Sequence, residues 1–224
     1  MMFQVSSAWR TVFPGAHAGV LVIRDALNPP FNADLAREKE ALEEQLRLRL
    51  AGRARSDLEA LPILQAYDVY YKRFKKTYHV QLQLESIALK GKSIPNVAAL
   101  VEAMFMAEVK NLLLTAGHDL DVLRLPVVLD VSRGDESYTL LRGQAQQLKA
   151  GDMMMSDGEG IISSVIYGPD QRTQIQASTQ NVMFTVYAPS GIGEEVVRAH
   201  LQDIAGYARL VAPDARVEML EVFG

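Results

Sequence analysis

The side chains able to do chemistry gather in and after one segment, Leu100 to Asp121, which reads LVEAMFMAEVKNLLLTAGHDLD. Glu102 stands on an otherwise apolar run. The run closes on Gly117-His118-Asp119-Leu120-Asp121. A carboxyl, an imidazole and two further carboxyls offer hydrogen bonds and proton transfer without a thiol. Arg172 and Thr179 add a cation and a hydroxyl further on. Each group also has a structural use. His118 could bond the last carbonyls of a helix. Asp119 and Asp121 could cap the next turn. Glu102 could simply be exposed, and Arg172 and Thr179 could hold turn backbone.

Other chemistries are excluded or unsupported. There is no cysteine among the 224 residues, so disulfides, thiolate zinc sites and cysteine nucleophiles are out. The absence of cysteine fits a cytoplasmic location. The phosphate loop, His-Glu-x-x-His and Gly-x-Ser-x-Gly patterns are missing. Gly191-Ile192-Gly193 opens a helix but lacks a third glycine and a βαβ setting. We therefore expect no cofactor and no metal. The net charge of −4 argues against a general nucleic-acid binder. One local patch is basic: Lys72, Arg73, Lys75 and Lys76, interleaved with Phe74 and flanked by Tyr70, Tyr71 and Tyr78. Cations there could neutralise phosphate while an aromatic stacks on a base. The alternative is a solvated helix end favoured by the helix dipole.

The N-terminus has no basic segment before an apolar core, and Arg10 interrupts it, which does not read as a signal peptide. No run is long and apolar enough to span a membrane. Residues 19–25 read as a buried strand and Asn32 to Leu50 as an amphipathic helix. Asn32 or Asp34 is its cap and Gly52 its stop. A second helix is expected over 57–76. Pro62 sits too deep for its first turn and moves the true start toward Leu61. Short and long helices follow at 83–90 and 97–111. Strands are expected at 125–131, 136–142, 152–157, 160–168, 181–188 and 216–222, with a helix over 191–211 whose apolar stripe is Val196, Val197, Leu201, Ile204 and Tyr207. Met153-Met154-Met155 reads as a strand buried on both sides. Helices in the first half and a mostly antiparallel sheet in the second make an α+β fold. With no clear linker, 1–224 reads as one domain. The turn at Pro189-Ser190-Gly191 sets off 190–224 as a candidate helix-strand addition.

Three motif groups carry a family resemblance. Tyr71-Lys72-Arg73-Phe74-Lys75-Lys76, followed by Gly91, Pro95 and Asn96, is the first. The second is the Leu100–Asp121 segment itself. The third joins Asp157-Gly158-Glu159-Gly160-Ile161 to Asp170-Gln171-Arg172-Thr173 and Thr179-Gln180-Asn181. In order and spacing they resemble the B3/B4 domain, the editing module of the β subunit of bacterial phenylalanyl-tRNA synthetases, which also occurs as a free-standing protein. Lys75 stands where the family usually has glycine. Glu102 takes the family's acidic place, Met104 its Thr place, Phe105 its Asn place and Ala116 its His place.

The resemblance implies cleavage of an ester between an amino acid and tRNA. Such a site needs a side-chain pocket, groups that hold the amino end and a positioned water. It implies Glu102, His118 and Asp119 as catalytic candidates, and Met104, Phe105, Arg172 and Thr179 as substrate-binding ones. Lys72, Arg73, Lys75 and Lys76 would contact RNA. The pocket is expected between helix 97–111, a loop at 117–121 and the strands around 157–181. The partner would be tRNA or aminoacyl-tRNA. Two rivals stand beside it. One is a non-catalytic module binding a small ligand, such as an amino acid, or RNA. The other is an interaction protein using helix 34–50. The sequence leaves the oligomeric state open.

Overall fold

The chain opens on elements too short to leave a sequence signal. In the computed structural model, which describes residues 1–224, β1 is Phe3–Val5 and α1 is Ser7–Val12. β1 pairs in parallel with β4 (Val127–Val131), a partner more than a hundred residues away. β2 (His17–Arg24) is the strand expected at 19–25, and its six central residues are buried. α2 (Ala33–Arg49) begins where Asn32 accepts the N–H groups of Asp34 and Leu35, as the cap reading requires. Its apolar face is consumed internally by Leu35, Leu42 and Leu46, so it is not an open partner-binding stripe.

The single helix expected over 57–76 is two. α3 (Arg55–Glu59) stops, and α4 (Pro62–Lys72) restarts with Pro62 at its first position. Proline lacks the N–H that an interior helical residue must donate, so the break falls there. α5 (His79–Leu84) starts four residues earlier than expected and runs on through a π-helical turn, Glu85–Leu89. α6 (Ala99–Asn111) buries nine of its thirteen residues, which marks it as a central helix.

After α6 the sequence predicts a loop at 117–121. The structure has β3 (Leu114–Asp119), with all six residues buried. β3 pairs antiparallel with β10 (Val182–Ala188), and non-local pairing overrides the turn-like composition. Two hairpin-like stretches follow: β5 (Ser137–Thr139) with β6 (Ala145–Gln147), and β7 (Met153–Asp157) with β8 (Gly160–Ser164). Met153, Met154 and Met155 are buried as expected. β9 (Gly168–Pro169), α7 (Glu194–Val211) and β11 (Arg216–Phe223) complete the chain.

The strands form a sheet in the order β1-β4-β7-β8-β9, a second in the order β11-β2-β10-β3, and the β5-β6 pair. Except for β1 with β4, the pairs are antiparallel. Residues 190–224 supply α7 and β11, which pairs with β2. α7 lies close on β2 because Gly19 has no side chain; a Cβ there would sit 2.6 Å from Val197 Cγ1. Val197, Leu201, Ile204 and Tyr207 are buried as read, but Val196 is exposed.

Lys75, the residue at the family's glycine place, has φ +56°. This left-handed backbone costs an L side chain about 1–2 kcal/mol, and glycine enters it without that cost. We expect Lys75→Gly to raise stability by up to about 1 kcal/mol, read as a higher urea midpoint at unchanged slope. A lower midpoint would contradict the strain.

Candidate functional site

α6 turns into β3 within two residues. Leu112 takes the left-handed conformation, φ +62°, and donates its N–H to Glu108 O at 2.7 Å. Glu108 Oε1 then accepts the N–H of Thr115 at 2.8 Å. Tyrosines satisfy the neighbouring backbone. Tyr67 OH accepts from Leu114 N at 2.9 Å and donates to Tyr187 O at 2.5 Å. Tyr78 OH donates to Leu112 O at 3.0 Å, with its ring stacked on Tyr67 at 4.0 Å. Every one of these groups is buried, so leaving any unpaired would cost about 1–3 kcal/mol.

Between α6 and β3 lies a cavity of about 360 Å³. One face of α6 lines it with Val101, Met104, Phe105 and Glu108, the spacing of a single helical stripe. β3 contributes Leu114 to Gly117, and α5 contributes His79 and Gln83. Gln174 and Ile175 close one side, with Ser164, Gly168, Pro169, Leu141 and Tyr187 completing the wall. Gly117 makes the fit possible, because a Cβ there would lie 2.6 Å from Ile175 Cδ1.

Two of the seven predicted catalytic and substrate residues, Met104 and Phe105, line the cavity. The other five are tied up elsewhere. Glu102 is buried, 3.1 Å from Lys39 of α2, and accepts Val97 N at 3.4 Å. It holds α2 to the first turn of α6, where the helix dipole also favours an anion. His118 is fully buried on β3; its Nδ1 lies 2.7 Å from Thr173 Oγ1, and its Nε2 has no partner. Burial, with Arg172 nearby, depresses its pKa to about 3 against an opposing pull from Asp157. Asp119 accepts from Thr179 Oγ1 at 2.6 Å and from Asp121 N at 3.0 Å, which is the capping use. Arg172 is spanned by Asp157 at 2.7 Å and Glu159 at 2.9 Å. Thr179 also accepts Gln176 N at 2.9 Å. Together these residues clasp the end of β3 to the 157–160 and 170–181 loops. The clasp positions Gln174 and Ile175 against the cavity.

The sequence reading missed the cavity's own acid and imidazole, Glu108 and His79. Glu108 was legible in principle, seven residues after Val101 on the stripe that carries Met104 and Phe105. Burial pushes its carboxyl up to about 8 against the Thr115 hydrogen bond. His79 keeps an exposed edge, and desolvation by the protein around the rest of the ring lowers its imidazole. At neutral pH both are uncharged. The hydroxyls at the cavity are engaged: Thr115 Oγ1 with His200 Nε2 at 2.7 Å, and Ser164 Oγ with Tyr167 N at 3.2 Å. No group of three or more His, Asp or Glu is placed to hold a metal ion.

The basic run lies at the end of α4. Lys72 is exposed and paired with Asp68 at 2.6 Å. Arg73 packs over Phe13, Tyr70 and Phe74 at 5.5–5.7 Å, and Lys76 lies over Tyr167 at 5.8 Å. Arg73, Phe74, Lys75 and Lys149 line an open hollow of about 480 Å³. A larger hollow of about 730 Å³ beside Arg49, Arg53 and Glu195 contains none of the predicted site residues. No helix is long and apolar enough to cross a membrane.

Fold and cavity define a class: an α+β domain in which a buried helix and its following strand wall off a small, mostly apolar pocket. The B3/4 domain family matches residues 66–208, well over half of the chain, and the chain belongs to that family. It is also similar to an N-terminal fragment of the phenylalanyl-tRNA synthetase beta-subunit from Pyrococcus horikoshii, with a TM-score of 0.52 at 10% identity. That match covers 100% of this chain and 54% of the other, so the chain spans about half the length of the fragment. At such identity the likeness carries the fold. No curated protein matches the chain.

Glu108 gives the site a pH signature. In the folded chain it keeps its proton to about pH 8, but in the unfolded chain only to its ordinary 4.5. The folded state therefore binds more protons between these values. Glu108's contribution is fully present below 4.5 and is lost as pH rises through 8. His118 and His200, each depressed to about 3 by burial, act oppositely and cost stability as pH falls below 6.5. We expect Glu108→Gln to gain on the native chain progressively from pH 5 to 8 in urea unfolding. A constant difference across that window would contradict a buried neutral acid.

Proposed function

We propose that this protein receives the aminoacyl end of a tRNA in the cavity between α6 and β3 and hydrolyses the ester of a mischarged species in trans. The observation that supports this best is the cavity itself. Its volume of about 360 Å³ suits one amino-acid side chain with its ester, and its α6 wall is the Met104 and Phe105 pair at the family's substrate positions. Membership of the B3/4 family and the fold shared with a synthetase β-subunit fragment support a tRNA-linked role.

In this reading the nucleophile is water, because the cavity's hydroxyls are already engaged. His79, uncharged at neutral pH, is the group able to take the water's proton. Met104, Phe105 and Ile175 hold the side chain. Lys76 lies over the ring of Tyr167, the residue before the cavity residue Gly168, so the basic run suits the approaching phosphate backbone. Arg73, Lys75 and Lys76 have no ion-pair partner and are the cations free to serve it, with Lys72 engaged by Asp68.

A second reading is favoured by one observation. Phe105 and Ala116, at the family's Asn and His places, make the wall apolar where hydrolysis would use polar groups. The protein would then bind the same aminoacyl end, or a small ligand, without turnover.

Deacylation of a panel of mischarged tRNAs tests the choice. Hydrolysis of at least one species should fall by about 10²-fold or more in His79→Ala. Lys75→Glu with Lys76→Glu should weaken tRNA binding and flatten its salt dependence. No turnover on any tRNA by the folded protein would leave the binding reading alone.

A further inference from the structure

The hollow of about 730 Å³ beside Arg49 shares no lining residue with the cavity between α6 and β3. Five helices meet there: the end of α2, α3, the start of α4, the end of α6 and the start of α7. Its volume falls within the range of small-molecule sites, about 300–1,000 Å³. Its apolar lining is aliphatic, with Leu61, Ile63 and Val196 and no aromatic ring. Val196 belongs to the apolar stripe of α7, yet it stays 38% exposed while Val197, Leu201 and Ile204 are buried. The stripe thus runs out into the hollow, where no protein covers it.

The charges at the hollow are unevenly committed. Lys110 is paired with Asp203 at 2.7 Å. Asp57 accepts Ala54 N at 2.7 Å and caps α3. Arg49 and Arg53, four residues apart across the end of α2, are exposed and have no ion-pair partner. Two free guanidiniums therefore stand against one free carboxylate, Glu195.

We propose that this hollow binds a small aliphatic acid. Its carboxylate or phosphate head lies on Arg49 and Arg53, and its chain packs against Leu61, Ile63 and Val196. The planar guanidinium fork matches such a head. A neutral chain of the same length covers the same apolar surface but leaves the guanidiniums to water. An amine of that length meets two like charges. The site is separate from the cavity and stands or falls without the reading of it.

Calorimetry with decanoate, decanol and decylamine, each below its aggregation threshold, tests the assignment. Decanoate should bind about tenfold or more tighter than either of the others. Arg49→Gln with Arg53→Gln should reduce it to the level of decanol, and Glu195→Gln should tighten it. Methyl-detected NMR should place the decanoate shifts on Leu61, Ile63 and Val196, with Met104 and Ile175 unmoved. These substitutions are at exposed positions, and an unchanged melting temperature of each variant checks its fold. Decanol or decylamine binding as tightly as decanoate overturns the proposal. So does decanoate binding that survives the double arginine variant, weakens in Glu195→Gln or moves the cavity methyls instead, and so does no binding of any probe.

Discussion

The hydrogen bond from Thr115 N to the Glu108 carboxyl sits where α6 becomes β3, and the surrounding architecture follows from closing that reversal. Only Leu112 and Leu113 separate the two elements. Leu112 must take a left-handed backbone, and the carbonyls and N–H groups exposed there must be paired without water. Glu108, Tyr67 and Tyr78 do this from three different elements. With both elements pinned at the turn, they diverge from it and leave space that side chains do not fill. The cavity is the consequence. The acid that stabilises the turn is also the acid that faces the space, which is why it is kept neutral rather than ion-paired.

A second arrangement keeps the far wall in place. Asp119 with Thr179, and Arg172 with Asp157 and Glu159, fasten the end of β3 to two loops. Their partners are protein groups throughout, and the loop they hold brings Gln174 and Ile175 to the cavity. Most of the polar motif residues visible in the sequence are thus engaged by other protein groups, while Met104 and Phe105 line the cavity. In a cavity so enclosed by apolar side chains, any buried charge interacts strongly with its neighbours.

Much of this was legible in the sequence. The α+β class, the Asn32 cap, the Pro62 restart and the buried methionine strand all rest on local rules, and local rules sufficed. Met104 and Phe105, singled out by family spacing and by the helical stripe, line the cavity. What the sequence hid was non-local. β1 is three residues whose only reason to be extended is β4, and β3 reads as a Gly-His-Asp loop until β10 is laid beside it. His118 and Glu102 looked like chemistry because polar residues in apolar runs usually do. Only their partners reveal that they are tied into the fold, Thr173 to one ring nitrogen of His118 and Lys39 to Glu102. Glu108 was overlooked for the converse reason, since its role depends on a cavity no pattern announces.

The central claim is that the space between α6 and β3 receives the aminoacyl group. Methyl-detected NMR with a non-hydrolysable aminoacylated acceptor-stem RNA addresses it directly. We predict that the largest shift changes fall on the Met104, Ile175, Val101 and Leu114 methyls, with smaller ones beside the basic run. Saturable changes confined to the basic run or to the hollow near Arg49, with those four methyls unmoved, would contradict the account.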